Sequence, residues 1–117
     1  MNNLNSLILE GESSGVKKLE LPAGEAAVFT LSVKRVYKKA DGSKHEETSD
    51  FEVYAYGMLA SLVMNHKEHN LVRVVGRLKQ ERWKDGDGMM HAKIVVIAEH
   101  IEWRPGKAKK AEKEEAL

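Results

Sequence analysis

The chain contains no cysteine, only two prolines, seven aromatic residues and almost no net charge, with 19 Lys and Arg against 18 Asp and Glu. Without cysteine there is no disulfide framework, no thiolate metal site and no cysteine nucleophile. No apolar run approaches the roughly 18 residues that a membrane-spanning helix needs. The N-terminal Met1-Asn2-Asn3-Leu4-Asn5 lacks the basic start and long apolar core of a secretory signal, so a cytoplasmic protein is expected. A glycine-rich phosphate loop and His-Glu-x-x-His are also missing. The segment Gly11 to Gly15 leads into a basic, strand-like stretch and not a helix, so it is no phosphate cradle. The adjacent carboxylates Glu46-Glu47 and Glu114-Glu115 point apart in an extended chain and read as solvated surface. Catalysis has little support, and no cofactor is implied.

What is present is alternation. At 117 residues, 42% hydrophobic and 32% charged, the chain suits one globular domain. Leu4 to Gly11 reads as a first short strand, followed by a Gly/Ser/Lys stretch and the turn Pro22-Ala23-Gly24. From Ala26 to Lys39, Phe29, Leu31 and Val33 alternate with Thr30, Ser32 and Lys34, the period of a half-buried strand. Asp41-Gly42-Ser43 then signals a hairpin into a third strand, Thr48 to Tyr56. That strand points Phe51, Val53 and Ala55 one way and Asp50, Glu52, Tyr54 and Tyr56 the other.

Met58 to His69 reads as the one helix, with Leu59, Leu62, Val63 and His66 as its apolar stripe. The fourth strand, Leu71 to Trp83, sets Val72, Val74, Gly76 and Leu78 against Arg73, Arg77, Lys79, Glu81 and Trp83. Asp85-Gly86-Asp87-Gly88 closes a second hairpin, and Met90 to Trp103 forms the fifth strand, whose Ile94 to Ile97 run looks buried on both sides. The order β-β-β-α-β-β with two long hairpins is that of the OB-fold: all-β with one helix, a five-stranded barrel with two hairpin arms. The domain is expected over 1–104, with 105–117 a short charged tail lacking apolar period and expected to be disordered.

Single-stranded nucleic acid needs cations along a groove and aromatic faces for unpaired bases. Several of the few aromatics here sit beside cations. Tyr37 lies between Lys34-Arg35 and Lys38-Lys39, Tyr54 and Tyr56 line the outer face of strand three, and Trp83 stands between Arg82 and Lys84. From Arg73 to Lys84 there are five bases (Arg73, Arg77, Lys79, Arg82, Lys84) and one acid, Glu81. Phe29, Phe51 and Trp103 read as packing residues. His66 and His69 supply two possible metal ligands; a third, from Glu68 or His45, would have to arrive from elsewhere, and no metal site is expected.

Several segments resemble the bacterial single-stranded DNA-binding proteins: Asn5 to Gly11, Phe29 to Val33, Tyr56 to Ala60, Val74 to Lys79, Arg82 to Gly86 and Ala98 to Glu102. The resemblance covers residues 1 to about 104. It implies a homotetrameric OB barrel, or a dimer in related proteins, that holds single-stranded DNA without sequence preference during replication, recombination and repair, associated with the nucleoid. Of the four aromatic stacking positions it implies, Tyr37, Tyr56 and Trp83 match, and Asp50 stands at the fourth; Tyr54 is a partial substitute. Lys34, Arg35, Arg73, Arg77, Lys79, Arg82 and Lys84 are the expected phosphate contacts. Glu12 to Val16 departs from the family pattern, and Glu114-Glu115 before an apolar end is a faint echo of the family's acidic tip, so recruitment of replication and repair proteins is not carried over.

The rival reading is an OB-fold interaction subunit of a primosome-like assembly with weak nucleic-acid affinity; an RNA-binding barrel is third. Asp50 removes a stacking platform and repels phosphate. Asp50→Trp is therefore expected to tighten oligothymidine binding, by up to the roughly 1–3 kcal/mol of one stacked base. Unchanged affinity in a fluorescence titration would remove position 50 from the binding face.

Overall fold

The alternation closes on itself. In the computed structural model, which describes residues 1–66 and 70–104, the order is β1 (Leu7–Leu21), β2 (Gly24–Lys38), β3 (Lys44–Tyr56), α1 (Met58–Met64), β4 (Asn70–Lys84) and β5 (Met90–Arg104). The strands form a closed barrel in the order β1-β2-β3-β5-β4. Neighbours are antiparallel except β3 and β5, which meet in a parallel seam of two pairs, Val53 with Val96 and Tyr54 with Ile97. Inward residues of every strand meet in one core: Phe29 and Leu31 from β2, Val53 and Ala55 from β3, Val72 and Val74 from β4, Val96, Ala98 and Ile101 from β5, with the partly buried Leu7 and Leu9 of β1 packed against them. Helix α1 adds Ala60 and Val63 to it. This is the OB barrel that the element order implies.

Both hairpins continue past the core as arms. The first turns where the Lys39 N–H donates to the Ser43 carbonyl at 2.8 Å, and Asp41 Oδ1 accepts from the Ser43 N–H and hydroxyl. The second turns at Asp85, whose Oδ1 accepts the N–H groups of Asp87 and Met89, each at 2.9 Å.

Several local expectations change. Strand β1 does not stop near Gly11 but runs to Leu21, because a bulge absorbs the Gly/Ser stretch. Ser14 faces Thr30 and Lys17 faces Val28, so β1 holds one residue more than β2 there, with Gly15 at φ 65°. A left-handed Gly is what such a bulge requires. The helix buries Ala60 and Val63 and packs Leu59 and Met64, whereas Leu62, expected in the stripe, is exposed. His66 stacks on Trp103, ring centroids 4.2 Å apart. In the Ile94 to Ile97 run, Val95, Val96 and Ile97 are buried, but Ile94 is 65% exposed, and so to a lesser degree is Leu78. Ile94 lies where β4 and β5 have left the core as an arm, and Leu78, opposite the core residue Val96, lies at the root of that arm. Residues 67–69, where the helix and the second imidazole are expected, and the tail 105–117 lie outside the described residues.

Two glycines mark where strands cross too closely for any side chain. A Cβ on Gly11 would lie 2.2 Å from the Ser32 carbonyl oxygen, and one on Gly76 would lie 2.1 Å from that of Ile97. Gly76 sits beside a second bulge, where β5 carries one extra residue between Ala98 and His100. Gly76→Ala is expected to destabilise by about 1–3 kcal/mol, the usual range for overfilling a packed site. Gly86→Ala, in open space at the arm tip, is expected to shift the urea midpoint little.

Candidate nucleic-acid interface

Because side chains alternate across each strand, the pairing register states which residues share the outer face. On β3 these are Asp50, Glu52, Tyr54 and Tyr56, opposite Ser32, Thr30, Val28 and Ala26 of β2. On β4 they are Arg77, Lys79, Glu81 and Trp83, opposite Ile97, Val95, Lys93 and His91 of β5. The β3–β5 seam joins the two sets by placing Tyr54 beside Ile97.

The result is one run of contacts across three strands. Trp83, 45% exposed, stacks on His91 with centroids 5.4 Å apart and planes at 19°. Lys93 Nζ lies 5.9 Å from the same indole and 3.0 Å from Glu52 Oε1. The Tyr54 hydroxyl donates to that carboxylate. Tyr54 in turn stacks on Tyr56, which is 41% exposed, with centroids 6.4 Å apart and planes at 17°. Val95 and Ile97 form a buried apolar floor on this side.

The charges in this run are mutually adjusted. Hydrogen bonding from Tyr54, then from Lys93, holds the Glu52 carboxyl below its ordinary value. Burial, then the Glu52 carboxylate, pushes the Tyr54 phenol up. The hydrogen bond to Glu52 raises Lys93. At the arm tip, His91 Nε2 lies 2.6 Å from Asp85 Oδ2, and that contact, followed by backbone N–H donors, lowers Asp85.

Of the expected site residues, Trp83, Tyr54, Tyr56, Arg77 and Lys79 come together on this face. Arg77 has no ion pair among the described residues, and Lys79 lies 3.5 Å from Glu81. Arg82 and Lys84 project from the other side of the same arm, and Arg82 donates to Gln80 at 2.6 Å. On the β2–β3 arm, Lys34 shares the side of Tyr54 but lies 3.6 Å from Glu46. Tyr37 and Arg35 have the opposite parity, with Tyr37 packed against His45 at 5.9 Å. Arg73 stands apart: it is 2.9 Å from Glu10 and 3.6 Å from Glu102, in a network that also takes in Arg104. Asp50 lies on the outer face and accepts from the Ser32 hydroxyl at 2.7 Å.

Sequence reasoning misses His91 and Lys93. The signal for both is the second hairpin: once its turn is placed at Asp85 to Met89, counting back along β5 sets His91 opposite Trp83 and Lys93 opposite Glu81.

The Glu52 carboxyl has a testable pH signature. A carboxyl lowered by folding stabilises the native state above its unfolded value, and that contribution disappears as pH falls through the folded value. An NMR titration of the Glu52 side-chain carbonyl is expected to give a midpoint below the ordinary 4.5, and Tyr54→Phe is expected to move it back up.

A model of the Single-strand binding protein family matches residues 4–103. A single-stranded DNA-binding protein of Aquifex aeolicus (strain VF5) is 37% identical over 120 residues, covering 97% of this chain and 81% of that protein. One from Helicobacter pylori (strain ATCC 700392 / 26695) is 27% identical over 107 residues, covering 89% of this chain and 60% of that protein. Among solved structures, the Plasmodium falciparum SSB complex with ssDNA superposes with a TM-score of 0.76 at 15% identity, covering 89% of this chain and 97% of that one, a likeness of fold. The chain belongs to the single-strand binding protein family.

Proposed function

We propose that the outer face of β3, β5 and β4 binds single-stranded DNA without sequence preference, protecting it in replication, recombination and repair. The observation that carries this reading is the unbroken run from Trp83 through His91, Lys93, Glu52 and Tyr54 to Tyr56. It offers half-exposed aromatic rings at both ends of one face, which any base can use because every base has a π-face. Trp83 and Tyr56 stack bases, and Tyr54 supports Tyr56 from behind. Arg77 and Lys79 hold phosphates on the face, while Arg82, Lys84, Lys34 and Arg35, with Tyr37, serve strand segments passing along the arms. Arg73, held by two carboxylates, contributes least. Family membership favours this reading over an interaction subunit with weak nucleic-acid affinity. The assembly is a homotetramer, in keeping with the family resemblance and with Ile8 exposed on the outer side of β1.

Adding oligothymidine is expected to quench Trp83 fluorescence, since the other indole, Trp103, is packed against His66. Trp83→Ala should abolish the quenching and cost about 1–3 kcal/mol of affinity. Log affinity should fall with log salt at about −0.7 per phosphate neutralised. Absence of both quenching and salt-sensitive retention would overturn the proposal. Light scattering should report four chains, with a two-chain mass overturning the tetramer alone.

A further inference from the structure

We infer that Lys17, on the bulge of β1, is a further phosphate contact, and that the cleft it borders is the far end of the track a single strand follows across the barrel. The inference rests on the nucleic-acid reading above. Three independent features of the structure lead to it.

The first is the register. One row of the ladder runs Arg77 (β4), Ile97 (β5), Tyr54 (β3), Val28 (β2) and Lys17 (β1). It crosses four inter-strand gaps, about 19 Å at roughly 4.8 Å each. A cation stands at each end and a tyrosine ring in the middle, with one aliphatic side chain, Ile97 or Val28, between the ring and each cation. That pattern suits a polyanion whose bases lie on the ring and whose phosphates reach both rims.

The second is the bulge itself. Without an extra residue, strict alternation from the buried Ser13 would turn Gly15 and Lys17 inward. The additional residue, accommodated by Gly15 at φ 65°, reverses the parity. Val16 now packs against the core, and Lys17 is delivered to the outer face. The irregularity therefore re-aims a cation toward the binding side, as bulges beside functional sites do.

The third is the cleft and its charge. A half-open cleft of about 280 Å³ is lined by Gly15, Lys17, Val28, Phe29, Thr30 and Glu52. Glu52, its one acid, is already paired with Lys93 at 3.0 Å. Lys17 has no ion pair among the described residues, so the cleft and its immediate partner carry a surplus positive charge. The adjacent Lys18 differs: it lies 3.0 Å from Glu25 and has the opposite parity.

The test is a salt titration of wild type, Lys17→Ala, Lys17→Glu and Lys18→Ala with oligothymidine of about 16 nucleotides, the upper end of what one OB barrel covers. Loss of one phosphate contact is expected to make the log–log slope of Lys17→Ala shallower by about 0.7. Lys17→Glu should bind several-fold more weakly still, and Lys18→Ala should match wild type. Lys17 is exposed, so these variants should keep the wild-type melting temperature. If wild type binds and both Lys17 variants keep its slope and affinity, the Lys17 assignment falls and the functional reading stands. An equal loss in Lys18→Ala would also overturn it, since the effect would then be general charge. If wild type itself does not bind, the functional reading falls first.

Discussion

The parallel contact between β3 and β5 is two residue pairs long, Val53 with Val96 and Tyr54 with Ile97. On either side of it are hairpins with long ladders of their own, β2–β3 and β4–β5, each of which alone would present an open edge. The seam has two sides with different duties. Inward, Val53 and Val96 are fully buried in the core. Outward, Tyr54 comes to rest beside Ile97. Strict alternation couples the two, because slipping the seam by one residue would drive Tyr54 inward and expose Val53. The core's need for two valines thus places Glu52 within reach of Lys93, and that ion pair links the Trp83 stack to the tyrosines. The aromatic face follows from barrel closure and needs no separate device.

A net charge of +1 is compatible with this face because most of its cations already have partners. Lys79 has Glu81, Lys34 has Glu46 and Lys93 has Glu52, all at 3.6 Å or less and all partly exposed. Such pairs contribute little to folding, typically under about 1 kcal/mol, so exchanging a carboxylate for a phosphate sacrifices little stability. Arg73 is different, since it bridges β1 and β5 through Glu10 and Glu102, and releasing it would loosen the barrel wall. With so little net charge, long-range attraction of a polyanion is weak. On the proposed reading, binding depends on contacts made after encounter: stacked rings and a few local cations.

The sequence made legible whatever depends on period two alone. The barrel, both hairpins, and the outward placement of Tyr54, Tyr56 and Trp83 all follow from alternation and turn residues. What escaped depends on where alternation breaks or on who stands across the ladder. The β1 bulge was hidden because Gly and Ser also read as a loop, and with it went the length of β1 and the direction of Lys17. The exposure of Ile94 and Leu78 was hidden because a strand leaving the core keeps its apolar pattern while losing its cover. Arg73 looked like its neighbours Arg77 and Lys79, since only the β1 and β5 registers reveal its two carboxylate partners.

The aromatic residues share a further regularity once the partners are known. Near each arm tip an aromatic ring faces a histidine across the ladder, Tyr37 against His45 and Trp83 against His91. On the barrel face, Tyr56 is backed by Tyr54. Each of these three rings is therefore supported by a neighbouring ring of its own sheet and still about two-fifths exposed. Cross-strand pairs of this kind stabilise the ladder, and they also restrict the ring before any ligand arrives. On the proposed reading, a restricted ring would lose less rotamer freedom when a base settles on it, and that saving would appear directly in affinity. A chain with only seven aromatic residues gains most from this arrangement, because imidazoles supply the supporting surface and leave the larger rings for contact.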